Sequence, residues 1–197
     1  FGAGEGASFS GSFSQPFWIT QLEAGHEVSG RAGNVRFYAW TNGSAMPYAN
    51  AAASGSERQS GWGLSADQQV TATATLFARY GHAMRGKARF DQAVTAGLEL
   101  GGAAWGRKQD RLGFAGGWLR ASKDFKTDAP SLDADAEDGP DFGYTASGAE
   151  RLAEIYYAWQ VNDHLELTPD LQWISRPGAE ASAGDITILG LRATMGF

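Results

Sequence analysis

Hydrophobic and polar residues alternate with a period of two through much of this chain. The clearest stretch is Ala153-Glu154-Ile155-Tyr156-Tyr157-Ala158-Trp159-Gln160-Val161, where the odd positions are apolar and Glu154 and Gln160 lie on the other face. After the short turn Asn162-Asp163-His164 the alternation resumes, with Leu165, Leu167, Pro169, Leu171 and Trp173 set against Glu166, Thr168, Asp170 and Gln172. The spacing predicts an antiparallel hairpin. Leu189, Leu191, Ala193, Met195 and Phe197 repeat the pattern at the end, against Gly190, Arg192, Thr194 and Gly196.

Upstream, strands are predicted over 93–105 and 110–122, joined by Gly106-Arg107-Lys108-Gln109, and over 62–67 and 72–79, joined near Gln68-Gln69. Two more are read at about 16–25 and about 33–42. Residues 1–15 are Gly/Ser-rich and read as a loop or edge segment. Connections near 26–32, 68–70, 106–109 and 162–164 are short, whereas those near 43–56, 81–91, 123–149 and 175–185 are long. Outer-membrane barrels have short periplasmic turns and longer extracellular loops, so the long set is expected outside the cell and the C-terminus in the periplasm. The fold class is therefore all-β, an antiparallel transmembrane β-barrel. A soluble sandwich shares the alternation, but its apolar face looks inward; here Trp18, Trp62, Trp105, Trp118, Trp159, Trp173 and Phe197 are placed near strand ends, like interfacial girdles.

About nine strands are predicted, so the first and last run the same way and an all-antiparallel barrel cannot close on them. The expectation is one barrel domain over 1–197, incomplete at its N-terminus.

The chain has 197 residues, 27 glycines, 12% aromatic residues and a mean hydropathy of -0.32, values that suit a twisted, tightly turned sheet. No window approaches the roughly 18 consecutive apolar residues of a helical span. With no cysteine and three histidines, disulfides and thiolate metal sites are excluded and no cofactor is expected. A net charge of -6 and the lack of a basic cluster argue against nucleic-acid binding. His26, His82 and His164 are read in three separate connections, which gives hydrolytic chemistry little support and no enzyme is expected. The acidic run Asp133 to Asp141 departs from a calcium-loop spacing, with Gly139 at the seventh position and Tyr144 at the twelfth, and reads as a solvated external loop.

On the polar strand faces, Glu23, Arg36, Arg79, Glu99, Glu154, Asp170 and Arg192, with the rings of Trp40 and Tyr156, are the candidate pore-lining residues. Carboxylates and guanidinium groups match sugar hydroxyls, and a ring matches the C–H face of a pyranose. The same charges could instead pair with one another and stiffen the wall.

Several segments resemble a known family. Gly61-Trp62-Gly63-Leu64-Ser65-Ala66-Asp67-Gln68-Gln69, Leu76-Phe77-Ala78-Arg79-Tyr80-Gly81, Trp105-Gly106-Arg107-Lys108-Gln109-Asp110-Arg111-Leu112-Gly113, Glu154-Ile155-Tyr156-Tyr157, Leu167-Thr168-Pro169-Asp170-Leu171-Gln172-Trp173, Arg176-Pro177-Gly178 and Leu189-Gly190-Leu191-Arg192 follow one another as in the carbohydrate-selective porins of the OprB type. The resemblance covers about Phe17 to Phe197. It implies an outer-membrane barrel of about sixteen strands, within the range such barrels span, that admits glucose and related sugars, with this chain as its C-terminal portion. It also implies contact with outer-membrane lipid and lipopolysaccharide, and a terminal Phe197 that resembles the signal read by the barrel-assembly machinery. Two other readings are a non-conducting barrel that anchors envelope or partner proteins and a membrane-embedded hydrolase.

Overall fold

The structure, a computed structural model, describes residues 15–137 and 139–196. Phe197 and residues 1–14 lie outside the described residues. Nine strands form one antiparallel sheet in chain order: β1 (Phe17–Val28), β2 (Arg31–Ala45), β3 (Glu57–Gln69), β4 (Ala74–Arg85), β5 (Phe90–Gly101), β6 (Arg111–Ala121), β7 (Ala149–Asn162), β8 (Leu165–Ser175) and β9 (Ile186–Met195). The shortest has 10 residues and the longest 15, against the roughly 9–11 a membrane-crossing strand needs. No described helix is long and apolar enough to cross a membrane. β1 and β9 are the free edges and run in the same direction, so the sheet is open, as the strand parity predicts.

Local chemistry sets the turns. Ser29 and Gly30 both take positive φ (53° and 71°), the backbone of a tight two-residue hairpin that continues the strand twist. The Asn162 side chain accepts from the His164 amide at 2.9 Å and closes the β7–β8 turn.

Several expectations require correction. The connection read as long over 81–91 is only residues 86–89, because β4 and β5 extend past the alternating core of their sequences. The β3–β4 turn is 70–73 rather than 68–70. Residues Gly102–Trp105 leave the strand predicted over 93–105 and form a 3-10 turn. His26 and His82 lie on β1 and β4, not in connections; only His164 is in a turn. Trp62 sits at mid-strand in β3 rather than near an end.

The sheet has no buried core of its own: on one face Leu22, Leu189 and Leu191 remain 71%, 82% and 72% exposed. That face is apolar, and across it runs a row of small residues in direct register, Ala66, Ala78, Ala96, Gly116 and Ala153.

The buried hydrophobic cluster lies instead among the long loops, outside the solvated run Asp133 to Asp141. Tyr48, Phe125, Ala129, Ala146 and Ala179 pack with Ala121, and Phe142 and Tyr144 close around them. A short helix, α1 (Lys123–Asp128), forms here because Ser122 caps it, its hydroxyl accepting from the Phe125 amide at 3.0 Å. Asp128 accepts from the Tyr48 hydroxyl at 2.7 Å and pairs with Lys87 at 2.9 Å, which holds its carboxyl below the usual range and raises the Lys87 ammonium. Ala121, Phe90 and Glu150 anchor this cap through contacts with α1 and the 176–185 loop. By register all three belong to the polar face of the sheet, so the loops fold toward that face.

Candidate pore wall

Side chains directly opposite in neighbouring strands share a face, so the register follows the polar face across the sheet. Glu23 faces Arg36, Arg36 faces Ser65, and Ser65 faces Arg79. Two rows further, Thr75 faces Glu99, Glu99 faces Gly113, Gly113 faces Tyr156, and Tyr156 faces Asp170. Trp40, Glu154 and Arg192 follow by the period of two, the last opposite Thr168. All nine candidate residues therefore stand on one face.

Two polar networks run along this wall. Arg36 reaches Glu23 at 3.0 Å and also pairs with Asp67, which accepts from the Asn34 amide at 3.2 Å. Further along, the Tyr156 hydroxyl donates to Glu99 at 2.6 Å, while Arg111 lies 3.9 Å from Glu99 and 2.8 Å from Glu166. Thus Glu23 meets Arg36 and Glu99 meets Tyr156. Trp40, Arg79, Glu154, Asp170 and Arg192 form no ion pair or side-chain hydrogen bond with one another among the described residues. Arg79 lies over the Phe77 ring, 5.3 Å from its centroid, and Asp170 accepts from Gln172 at 3.0 Å.

Close packing across the strands fixes the rings of this face. Tyr156 lies over Gly113, Tyr38 over Gly63 and Phe77 over Gly97, each ring occupying the place where a Cβ would stand. Aromatic rings laid over cross-strand glycines cover backbone that would otherwise be bare.

Asp67, Arg111, Glu166, Tyr38 and Phe77 belong to the wall although they were not among the candidates. Parity identifies each of them once the register is known; Phe77 in particular is apolar, so polarity gave no signal for it.

At the short-turn end the connection 102–110 is knotted by Asp110, only 2% exposed. Its carboxylate accepts from Arg107, from the Tyr157 hydroxyl and from the Gln160 amide at 3.1 Å, and Arg107 also reaches the Gln160 carbonyl at 3.0 Å. The Arg107 guanidinium, followed by the Tyr157 and Gln160 donors, holds the Asp110 carboxyl below the usual carboxylate range.

Among the described residues the histidines form no catalytic grouping: His82 bonds the Asp91 carbonyl, His164 the Gly196 carbonyl, and His26 stands on β1. Carboxylate oxygens of Asp133, Asp135 and Asp141 lie within 4.8 Å of one another, but Asp133 and Asp135 are exposed and Asp141 already accepts from Asn50 and the Ala134 amide.

No curated protein matches the sequence. A solved structure of OprB from Pseudomonas putida at high pH is 25% identical, superposes with a TM-score of 0.75, and is matched over 92% of this chain and 48% of its own. The chain thus spans about half the length of that relative. The family model described as "Carbohydrate-selective porin, OprB family" matches residues 6–197. With an antiparallel sheet polar on one face and apolar on the other, and a family match over nearly its whole length, the chain belongs to the OprB family of carbohydrate-selective porins.

Proposed function

We propose that this chain forms part of an outer-membrane channel for passive, selective diffusion of glucose and other carbohydrates. The observation that carries this reading is the gathering of Glu23, Arg36, Trp40, Arg79, Glu99, Glu154, Tyr156, Asp170 and Arg192 on one face of a sheet whose other face exposes Leu22, Leu189 and Leu191. The family and fold are those of a transport channel rather than an enzyme. In the proposal, Arg36, Arg79 and Arg192 donate to hydroxyl oxygens, the carboxylates accept from hydroxyl hydrogens, and the rings of Trp40 and Tyr156 meet sugar C–H faces. Binding stays weak, so solute leaves as readily as it enters. The long loops lie outside the cell, lipid and lipopolysaccharide cover the apolar face, and Phe197 is read by the assembly machinery.

The test is conductance of the complete barrel in a planar bilayer, titrated with glucose and with succinate. Saturable block by glucose and not by succinate is expected. A second reading, a non-conducting anchor, draws on the folded cap over the polar face; insertion without conductance would establish it and remove the channel reading.

A further inference from the structure

The polar face has a concavity at the short-turn end, remote from the cap. Gln69, Thr75 and Glu99 form one side; Lys108 and Gln109 of the connection, with Gln160, form the other, around about 630 Å³. That volume lies within the roughly 300–1,000 Å³ of small-molecule sites. Lys108 and Gln109 are exposed, yet the backbone that carries them is held through the buried Asp110 and its bonds to Arg107, Tyr157 and Gln160. This connection is therefore a fixed wall rather than a loose turn.

Its chemistry is balanced. Lys108 and Arg111 are set against Glu99 and Asp163, and Arg107 neutralises Asp110. A net anion or cation finds no excess of opposite charge here, whereas a neutral molecule bearing many hydroxyls finds donors and acceptors side by side. Glu99, Asp110 and Arg111 are held by partners in the wall, whereas among the described residues Lys108, Gln109, Thr75 and Asp163 form no ion pair or side-chain hydrogen bond with one another; at these groups exchange for water hydrogen bonds is nearly even, which favours fast, weak occupancy.

We propose that this vestibule is a separate binding station for short neutral sugars at the short-turn mouth, with Lys108 and Gln109 as contact residues and Asp110 as a positioning residue. The proposal rests on the channel reading above. It adds a site whose members, apart from Glu99, lie outside the nine residues of the mid-wall.

The test compares the complete barrel with its Lys108→Ala/Gln109→Ala variant in planar bilayers, with maltose added to one side at a time and its association rate taken from current noise. Ser29→Cys, in a turn at the same end of a chain that itself has no cysteine, marks the short-turn side by block with an impermeant thiol reagent, with the barrel lacking that change as the control. The rate from that side is expected to fall about 3- to 10-fold, the loss of one or two exposed hydrogen bonds, while the rate from the long-loop side is unchanged. Thr75→Val, on the opposite side of the vestibule, gives the same asymmetry without touching the connection. Rates unchanged in both variants, or lowered equally from both sides, overturn the station and leave the channel standing. A conducting wild-type barrel that maltose blocks from neither side overturns both.

Discussion

A glycine directly opposite an aromatic residue leaves a place for the ring to lie flat, and at Gly113 an added methyl would occupy the position of the Tyr156 ring. Gly113→Ala is therefore expected to destabilise the barrel by about 1–3 kcal/mol, the cost of overpacking, and to move Tyr156 off Glu99. Gly81→Ala is the control: it lies on the same face, but its Cβ would find only the Tyr38 hydroxyl, at 3.9 Å. Urea unfolding followed by tryptophan fluorescence should lower the midpoint of the first variant and not the second. At Asp110 the sign of the pH effect follows from the lowered carboxyl. Its stabilisation is complete above the unfolded-state value of about 3.9 and disappears as pH falls through the lower folded value. The midpoint of Asp110→Asn should thus trail wild type at neutral pH and converge with it in acid.

Among the elements, the long loops depart furthest from their sequence. The run Asp133 to Asp141 reads as solvent-exposed and its described residues are exposed or half-buried, but the segments on either side of it, α1 before and Phe142 and Tyr144 after, close together around Phe125. Loops lack the fixed period of a strand, so the sequence carried no spacing by which Tyr48 could be matched to Phe125 across 77 residues of chain; their rings lie 5.3 Å apart. Phe125→Ala should remove about 3–5 kcal/mol from the cap, in the range for burying an aromatic ring. Hydrogen exchange should show residues 122–148 losing protection while amides of β4 to β6 keep theirs. If both regions lose protection together, cap and sheet unfold as one unit.

For the molecule as a whole, the strands were legible because each alternates with period two, and the family motifs were legible because they fall on those strands. The face of each candidate residue was legible for the same reason. What the sequence withheld was register: which carboxylate meets which guanidinium depends on pairing between strands, so Asp67 beside Arg36 and Glu166 beside Arg111 emerge only in three dimensions. The four-residue β4–β5 connection was missed because Gly81, His82 and Gly86 look like turn residues, though the first two continue the ladder. Those ion pairs have an electrical consequence. Glu23, Arg36 and Asp67 alternate in sign on consecutive strands, and strands are about 4.8 Å apart. A potential that reverses over so short a distance fades before the roughly 8–10 Å at which mobile ions begin to screen it. From afar this stretch of wall presents only the one negative charge left over: a solute that travels down the middle of a wide bore passes its pattern unread, and only a bore narrow enough to force contact lets it discriminate.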